Sequence, residues 1–147
     1  MCGFFGLQSF KLDTNEKIKL SRKALILLNS RGPDSNDIAL ESSKNLIFTH
    51  NRLSILDLSP NGNQPMRSLS GNLLITFNGE IYNHKSLREE LLSKKKFNQW
   101  RGTSDTETLL QAIEIWGLEI TLNKIVGMYS FALWDRKSEA LYLVRDR

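Results

Sequence analysis

The chain has 147 residues, of which 40% are hydrophobic and 24% charged, a composition typical of one globular domain large enough to bury a core. No basic segment followed by an apolar run opens it, and no apolar stretch reaches the ~18–20 residues of a membrane helix, so we expect no signal peptide, no membrane association and a cytoplasmic location. One cysteine and two histidines exclude an internal disulfide and a zinc-type cluster, so no metal is expected. The net charge is +4, but the basic residues are scattered, which argues against nucleic-acid binding.

The first half of the chain predicts strands and one helix. An apolar stripe predicts the helix over residues 18–28, with a cap offered by residues 13–15, and the Gly32-Pro33 pair ends it. Apolar and alternating runs predict strands at residues 2–7, 37–41 and 45–50.

The second half predicts strands separated by helices. A buried strand over residues 73–77 is predicted to stop at Asn78-Gly79, and Ser104 with Glu107 has the spacing of a capping box that opens a helix. Helices are predicted at residues 84–94, 105–116 and near 120–126, and two further strands at residues 128–134 and 140–145.

This order of elements is not a regular strand–helix alternation, so we expect an α+β fold with antiparallel sheets and helices outside them rather than a parallel doubly wound sheet. The last strand runs directly into Asp146-Arg147 with no terminating signal. We therefore expect a domain that is incomplete at its C-terminal end.

Cys2 is the first candidate for chemistry. If Met1 is removed, this residue carries a thiol and a free α-amine, so a nucleophile and its base lie on one residue. The alternative is an incidental cysteine behind the initiator methionine. His50 and His84 have no supporting signature nearby, and we expect structural roles for both.

Three further positions could serve an acyl-transfer site. The Asn78 side-chain amide and the Gly79 N–H could form an oxyanion hole, or the pair could be a simple turn. Arg52 could grip the α-carboxylate of an amino acid, or form an ordinary salt bridge. Asp105, in the first turn of its predicted helix, could bind an α-ammonium group or only complement the helix dipole.

These motifs together resemble a known family: the glutaminase domain of class II glutamine amidotransferases, the N-terminal-nucleophile group, and within it the branch of glutamine-hydrolysing asparagine synthetases. The resemblance spans essentially the whole chain, in the family's order. The segments that carry it are Met1-Cys2-Gly3-Phe4-Phe5-Gly6, Arg31-Gly32-Pro33-Asp34, Arg52-Leu53-Ser54-Ile55-Leu56-Asp57, residues 77–84, Ser104-Asp105-Thr106-Glu107 and residues 127–132.

The resemblance implies a four-layer αββα sandwich and a role for each site residue. Cys2 would be the nucleophile, with its α-amine as base, and Asn78 and Gly79 the oxyanion hole. Substrate glutamine would be held by Arg52 at its α-carboxylate, by Glu80 and Asp105 at its α-ammonium, and by backbone groups around Ile55 and Leu56. Arg31 and Asp34 would brace the loop beside the nucleophile.

The implied reaction is hydrolysis of glutamine to glutamate and ammonia through a thioester. The domain needs no cofactor for this; in the asparagine-synthetase branch a second domain of the same chain uses the ammonia, with ATP and magnesium. That synthetase domain is absent from this sequence. Ser30 stands where the branch often has histidine. Several alternatives stay open. The chain could be a non-catalytic fragment or an interaction module, it could serve another nitrogen acceptor such as a sugar acid, or it could act on another small amide or ester. It could also form a homodimer.

Overall fold

The computed structural model describes residues 2–93 and 99–147. In this part of the chain, strands and helices follow one another without regular alternation, as expected of an α+β fold. The strands are β1 (Gly3–Gln8), β2 (Ser35–Glu41), β3 (Leu46–Arg52), β4 (Met66–Arg67), β5 (Leu73–Ile81), β6 (Gly127–Asp135) and β7 (Ala140–Arg145), and the helices are α1 (Thr14–Leu27), α2 (His84–Ser93), α3 (Asp105–Trp116) and α4 (Leu118–Lys124). None of these helices is long and apolar enough to cross a membrane.

The strands form two antiparallel sheets, ordered β1-β3-β2 and β4-β5-β6-β7. Helix α1 lies against β1 and β3, while α3 lies against β5 with α2 and α4 beside it. The layers are therefore helix, sheet, sheet and helices, the expected αββα sandwich.

Alternation along β5 explains how the layers hold together, because successive side chains of a strand point to opposite faces. Leu73, Ile75 and Phe77 belong to the core between the second sheet and its helices. Leu74 belongs to the smaller core between the two sheets, with Phe48 of β3. One strand thus supplies both apolar layers, and its C-terminal end emerges between them.

Most element boundaries agree with the sequence predictions, and β5 is the main correction. The predicted stop at Asn78-Gly79 is wrong, since β5 continues to Ile81 and pairs with β6 throughout. A Cβ on Gly79 would lie 2.2 Å from the carbonyl oxygen of Met128, so glycine allows β6 to approach here. Long-range strand pairing overrides the local turn propensity of an Asn-Gly pair.

Helix α1 begins earlier than predicted, and its buried face is polar. Asp13 caps it and forms a capping box with Glu16. The predicted apolar stripe is wrong: Lys17 and Ser21 are buried, whereas Leu27 is 81% exposed. The helix packs on the face of β3 that carries Asn51, whose amide donates to a carbonyl of α1, so polar side chains of the helix are the ones covered.

The other helices differ from the predictions only at their ends. Helix α3 has the predicted bounds, and α4 begins and ends two residues earlier than expected. The predicted last residue of α2, Lys94, lies outside the described residues, as does Met1.

A charged cluster joins the two sheets. The Glu41 carboxylate at the end of β2 accepts hydrogen bonds from Arg67 of β4 and, at 3.0 and 2.8 Å, from Nε and Nη2 of Arg136. Glu41 is 6% exposed. Burial by itself would raise the pKa of the Glu41 carboxyl, but the two guanidinium groups outweigh it and hold the pKa below its ordinary value.

We predict that Glu41→Gln lowers the free energy of unfolding by about 1–3 kcal/mol, less than a fully buried pair would lose because both arginines are partly exposed. A depressed carboxyl pKa adds stability above the unfolded-state pKa and loses it as the pH falls. The difference between wild type and variant should therefore shrink on acidification below about 4.5. Denaturant unfolding at several pH values measures it.

The matched control is Glu139→Gln, which breaks an exposed pair with Lys44 and should change stability little. Equal losses of unfolding free energy in Glu41→Gln and Glu139→Gln would contradict the assigned role of Glu41. So would a difference between wild type and Glu41→Gln that does not depend on pH.

Candidate active site

A cleft opens at the end of the sandwich where the start of β1, the loop after β3, the end of β5 and the start of α3 meet. Its volume of about 120 Å³ is small beside the roughly 300–1,000 Å³ of drug-sized pockets, so it suits a ligand of amino-acid size. The sequence-predicted site residues that line it are Cys2, Arg52, Ile55, Leu56, Gly79, Glu80 and Asp105.

The Cys2 sulfur lies against the backbone of Leu53. The Leu53 N–H donates to Sγ at 3.4 Å, and the thiol points to the Leu53 carbonyl oxygen at 3.7 Å. Arg31 Nε donates to the Cys2 carbonyl oxygen at 3.0 Å. Cys2 is half-buried and unpaired, so its thiol is held in position and remains reachable from the cleft.

Asp34 tethers the same stretch of chain. Its Oδ2 accepts from the Ser54 N–H at 2.7 Å, and its own N–H donates to the Arg52 carbonyl oxygen at 3.0 Å. A Cβ at Gly32 would lie 2.3 Å from the Asn51 carbonyl oxygen, so the segment before Asp34 can approach β3 only with glycine there. Arg31 and Asp34 both contact the backbone around the sulfur, which is the arrangement expected of bracing residues.

Arg52 ends β3 and is 7% exposed. Its Nη1 donates to Ser59 O at 2.9 Å and to Asn63 Oδ1 at 2.8 Å, and its Nη2 donates to the carbonyl oxygen of Asp57. Three of the five guanidinium N–H groups are therefore used by the loop over residues 57–63. The remaining two have no acceptor among the described residues, which leaves a cation beside the cleft with donors for a carboxylate.

Asp105 is the first residue of α3 and also lines the cleft. Its Oδ2 accepts from the Ile81 N–H and its Oδ1 from the Thr106 N–H, both at 2.9 Å. Burial raises the pKa of the Asp105 carboxyl, against the opposing effect of these hydrogen bonds. A bound cation would offset the cost of burying this charge.

Gly79 and Glu80 lie at the exposed end of β5, and both line the cleft. Asn78, the residue before them, is half-buried and pairs with Ser130 of β6, but it does not line the cleft itself. Its Oδ1 has no hydrogen-bond partner among the described residues. Cys2 and Gly79 thus share one cavity, and Asn78 is the residue next to Gly79 in β5.

The two hydrophobic residues of the loop after β3 are exposed, Ile55 by 65% and Leu56 by 39%. Both line the cleft together with Met128 of β6, so part of its wall is apolar.

Neither histidine lines the cleft. His50 Nε2 donates to the Phe77 carbonyl oxygen at 3.0 Å, and burial lowers the pKa of His50 to about 4, so its ring is neutral at physiological pH and joins the two sheets. His84 begins α2 and is 9% exposed, and burial lowers its pKa too. A cysteine–histidine pair is therefore not formed by the described residues.

The comparisons with known proteins agree with this geometry. The family described as a glutamine amidotransferase domain matches residues 1–147. The chain belongs to this family. It is 34% identical to asparagine synthetase [glutamine-hydrolyzing] 3 of Bacillus subtilis over 149 residues, and 36% identical to asparagine synthetase B of Escherichia coli over 146 residues. Amidase chry2 of Gibberella zeae is 32% identical over 135 residues.

These alignments cover 100%, 99% and 92% of the amidotransferase domain but only 23%, 25% and 20% of the three relatives. Among solved structures, glutamine phosphoribosylpyrophosphate amidotransferase of B. subtilis superposes with a TM-score of 0.70 at 19% identity, covering 99% of this chain and 36% of that one. At that identity the likeness shows the fold alone, an α+β sandwich.

Sequence reasoning missed two polar residues that line the cleft of the amidotransferase domain. Gln64 connects β5 to α3: its Oε1 accepts from the Phe77 N–H at 2.7 Å, and its Nε2 donates to Thr106 Oγ1 at 3.2 Å. Asp57 is 6% exposed, and hydrogen bonds from Ser59 and Thr103 hold the pKa of its carboxyl at about 2 although burial acts to raise it. Both stand in loops whose fold no local pattern specifies.

The capping box predicted at the start of α3 is only half formed. Ser104 Oγ accepts from the Glu107 N–H at 3.2 Å. The fully buried Glu107 carboxylate does not return to Ser104; it accepts instead from the N–H groups of Arg101 and Gly102, at 2.9 and 3.0 Å. Arg88 completes this arrangement by donating to the carbonyl oxygens of Gly102 and Ser104. The loop that leads into Asp105 is thus fixed from both sides.

Proposed function

We propose that the domain hydrolyses the side-chain amide of glutamine to glutamate and ammonia, with Cys2 as nucleophile. The observation that carries the proposal is one cleft lined by the Cys2 thiol, by a cation, Arg52, and by two carboxylates, Glu80 and Asp105. An amino acid carries a carboxylate and an ammonium on one carbon, so this charge pattern matches its two ends. A thiol in the same cleft would reach the side chain.

In the proposed mechanism the Cys2 thiolate attacks the amide carbon of glutamine, and the carbonyl oxygen becomes an oxyanion. Asn78 Nδ2 and the Gly79 N–H stabilise that charge. The C–N bond then breaks, and the nitrogen leaves as ammonia with a proton from the α-ammonium of Cys2. Water attacks the resulting γ-glutamyl thioester, the α-amine takes its proton, and glutamate and the thiol are released. The base exists only after Met1 is removed.

We further propose that the ammonia is passed to an ATP- and magnesium-dependent synthetase domain that makes asparagine, in the cytoplasm. The asparagine synthetases that the chain resembles are four to five times its length, which leaves room for such a domain in each of them. We also propose that the protein forms a homodimer. A different acceptor is the second candidate, because two relatives that match over 92% or more of the chain are named amidases and not asparagine synthetases.

The test is release of glutamate and ammonia from L-glutamine by the protein, with L-asparagine as the comparison substrate. Equal amounts of both products from glutamine and none from asparagine are expected. Absence of hydrolysis by protein whose N-terminal residue is shown to be Cys2 would contradict the proposal and favour an interaction module.

Asp105 makes the KM for glutamine depend on pH. A carboxyl whose pKa is raised takes up a proton at a higher pH than an ordinary aspartate, and the neutral form loses its attraction for the α-ammonium group. We therefore predict that KM rises as the pH is lowered below neutrality, with a smaller change in kcat.

Asp105→Asn should have a high KM at every pH and lack that rise. Steady-state kinetics of the wild type and this variant across pH provide the measurement. A variant that keeps the wild-type pH dependence of KM would contradict the role of Asp105.

A further inference from the structure

The carboxylate of Asp57 connects two loops that both contribute residues to the cleft. Its Oδ1 accepts from the Ser59 N–H at 2.8 Å and from Ser59 Oγ at 2.7 Å, and its Oδ2 accepts from the Thr103 N–H at 2.6 Å. The first two bonds fold the loop that follows β3. The third reaches the segment that opens α3, 46 residues further along the chain.

The loop that Asp57 folds is the one that orients Arg52. The Asp57 carbonyl oxygen accepts from Arg52 Nη2, and the Ser59 carbonyl oxygen accepts from Nη1. Space for this arrangement depends on two glycines. A Cβ on Gly62 would lie 2.2 Å from Arg52 Nη2, and one on Gly102 would lie 2.3 Å from Asp57 Oδ2.

The other end of the connection leads to Asp105. Thr103, which donates to Asp57, is two residues ahead of Asp105, and Ser104 between them caps α3. Asp57 therefore connects the two sets of residues: its carbonyl oxygen accepts from Arg52, and its carboxylate accepts from Thr103, two residues before Asp105.

We infer that Asp57 is a positioning residue that sets Arg52 and Asp105 at the spacing of an α-carboxylate and an α-ammonium group, so that it determines the preference of the site for α-amino acids. This rests on the proposed function. An asparagine at this position would still accept at Oδ1 but would turn N–H groups toward the Thr103 N–H. The loop around Arg52 would then separate from α3.

The experiment compares two probes that differ only in the α-carboxylate: L-glutamine and its decarboxylated analogue, 4-aminobutanamide. Their dissociation constants are measured by titration calorimetry on Cys2→Ala protein, which binds without turnover, with and without Asp57→Asn. We expect Asp57→Asn to weaken glutamine binding about tenfold or more, the usual effect of losing hydrogen bonds to a charged group, and to change analogue binding far less.

The matched control is Asp135→Asn. Its carboxylate also accepts from a backbone N–H and a serine hydroxyl, at 2.8 Å each, but in the turn between β6 and β7. Should Asp57→Asn fail to fold, Gly102→Ala replaces it, because the added Cβ displaces Asp57 Oδ2. Either variant should reduce the preference for glutamine over the analogue, and the control should preserve it.

The outcomes separate this inference from the proposed function. A purely structural role would weaken both probes equally, and that result, or an unchanged preference, would overturn the inference while glutamine hydrolysis by the wild type still stood. Binding of neither probe by the Cys2→Ala protein, together with no hydrolysis by the wild type, would overturn both.

Discussion

Replacing Cys2 by alanine is expected to abolish glutamate release from glutamine. Cys2 is the only cysteine of the chain, and its sulfur is the thiol that lines the cleft. Alanine keeps the α-amine but removes the atom that would form the thioester, so no covalent route remains. The fold should survive, because the hydrogen bonds of the sulfur with the described residues are two long ones, both with the backbone of Leu53.

Two observations make this result interpretable. The thermal unfolding midpoint of Cys2→Ala should stay close to that of the wild type, which excludes loss of activity through unfolding. Cys2→Ser should retain at most a small residual rate, since a hydroxyl is a weaker nucleophile than a thiol. Glutamate release by Cys2→Ala at the wild-type rate would refute the assigned nucleophile.

The second large effect is expected at Asn78. If its side-chain amide donates to the oxyanion, Asn78→Ala should reduce kcat by roughly 10²–10³, about 2.7–4 kcal/mol of transition-state stabilisation. Asn78 directly precedes Gly79, which lines the cleft together with Cys2. The change should fall on kcat, since the charge develops only in the transition state.

Asn72→Ala is the matched control for this prediction. Asn72 stands just before the opposite end of β5, and within the described part of the chain its side-chain amide donates to Ser70 in an exposed turn. It should leave both kinetic constants unchanged. An effect of Asn78→Ala confined to KM would show that Asn78 binds glutamine and does not stabilise the oxyanion.

Local signals in the sequence predicted those elements whose ends are set locally. Ser104 and Gly117 bound α3 as predicted, because a side-chain cap and a terminating glycine act within a few residues. The prediction was wrong where distant partners decide. Pairing with β6 extends β5 through Asn78 and Gly79, and the polar face of β3 buries Lys17 in place of Leu27.

The candidate site shows the same division. Cys2, Arg52 and Asp105 were recognisable from their reactive or charged groups and their positions behind Met1, after a predicted strand and in the first turn of a predicted helix. The structure places all three in one cleft. The contacts of Arg52 with the 57–63 loop were not predictable, nor was the part played by Asp57. Both depend on how two loops 46 residues apart meet, which no spacing in the sequence encodes.

The most direct test of the central claim is the mass of the protein during turnover. The protein is mixed with L-glutamine, quenched in acid and analysed intact and after proteolysis. A thioester adds glutamine minus ammonia, about 129 Da, and we predict this increment on the peptide that begins with Cys2. Turnover of glutamine with no adduct, or with the adduct on another residue, would contradict the account.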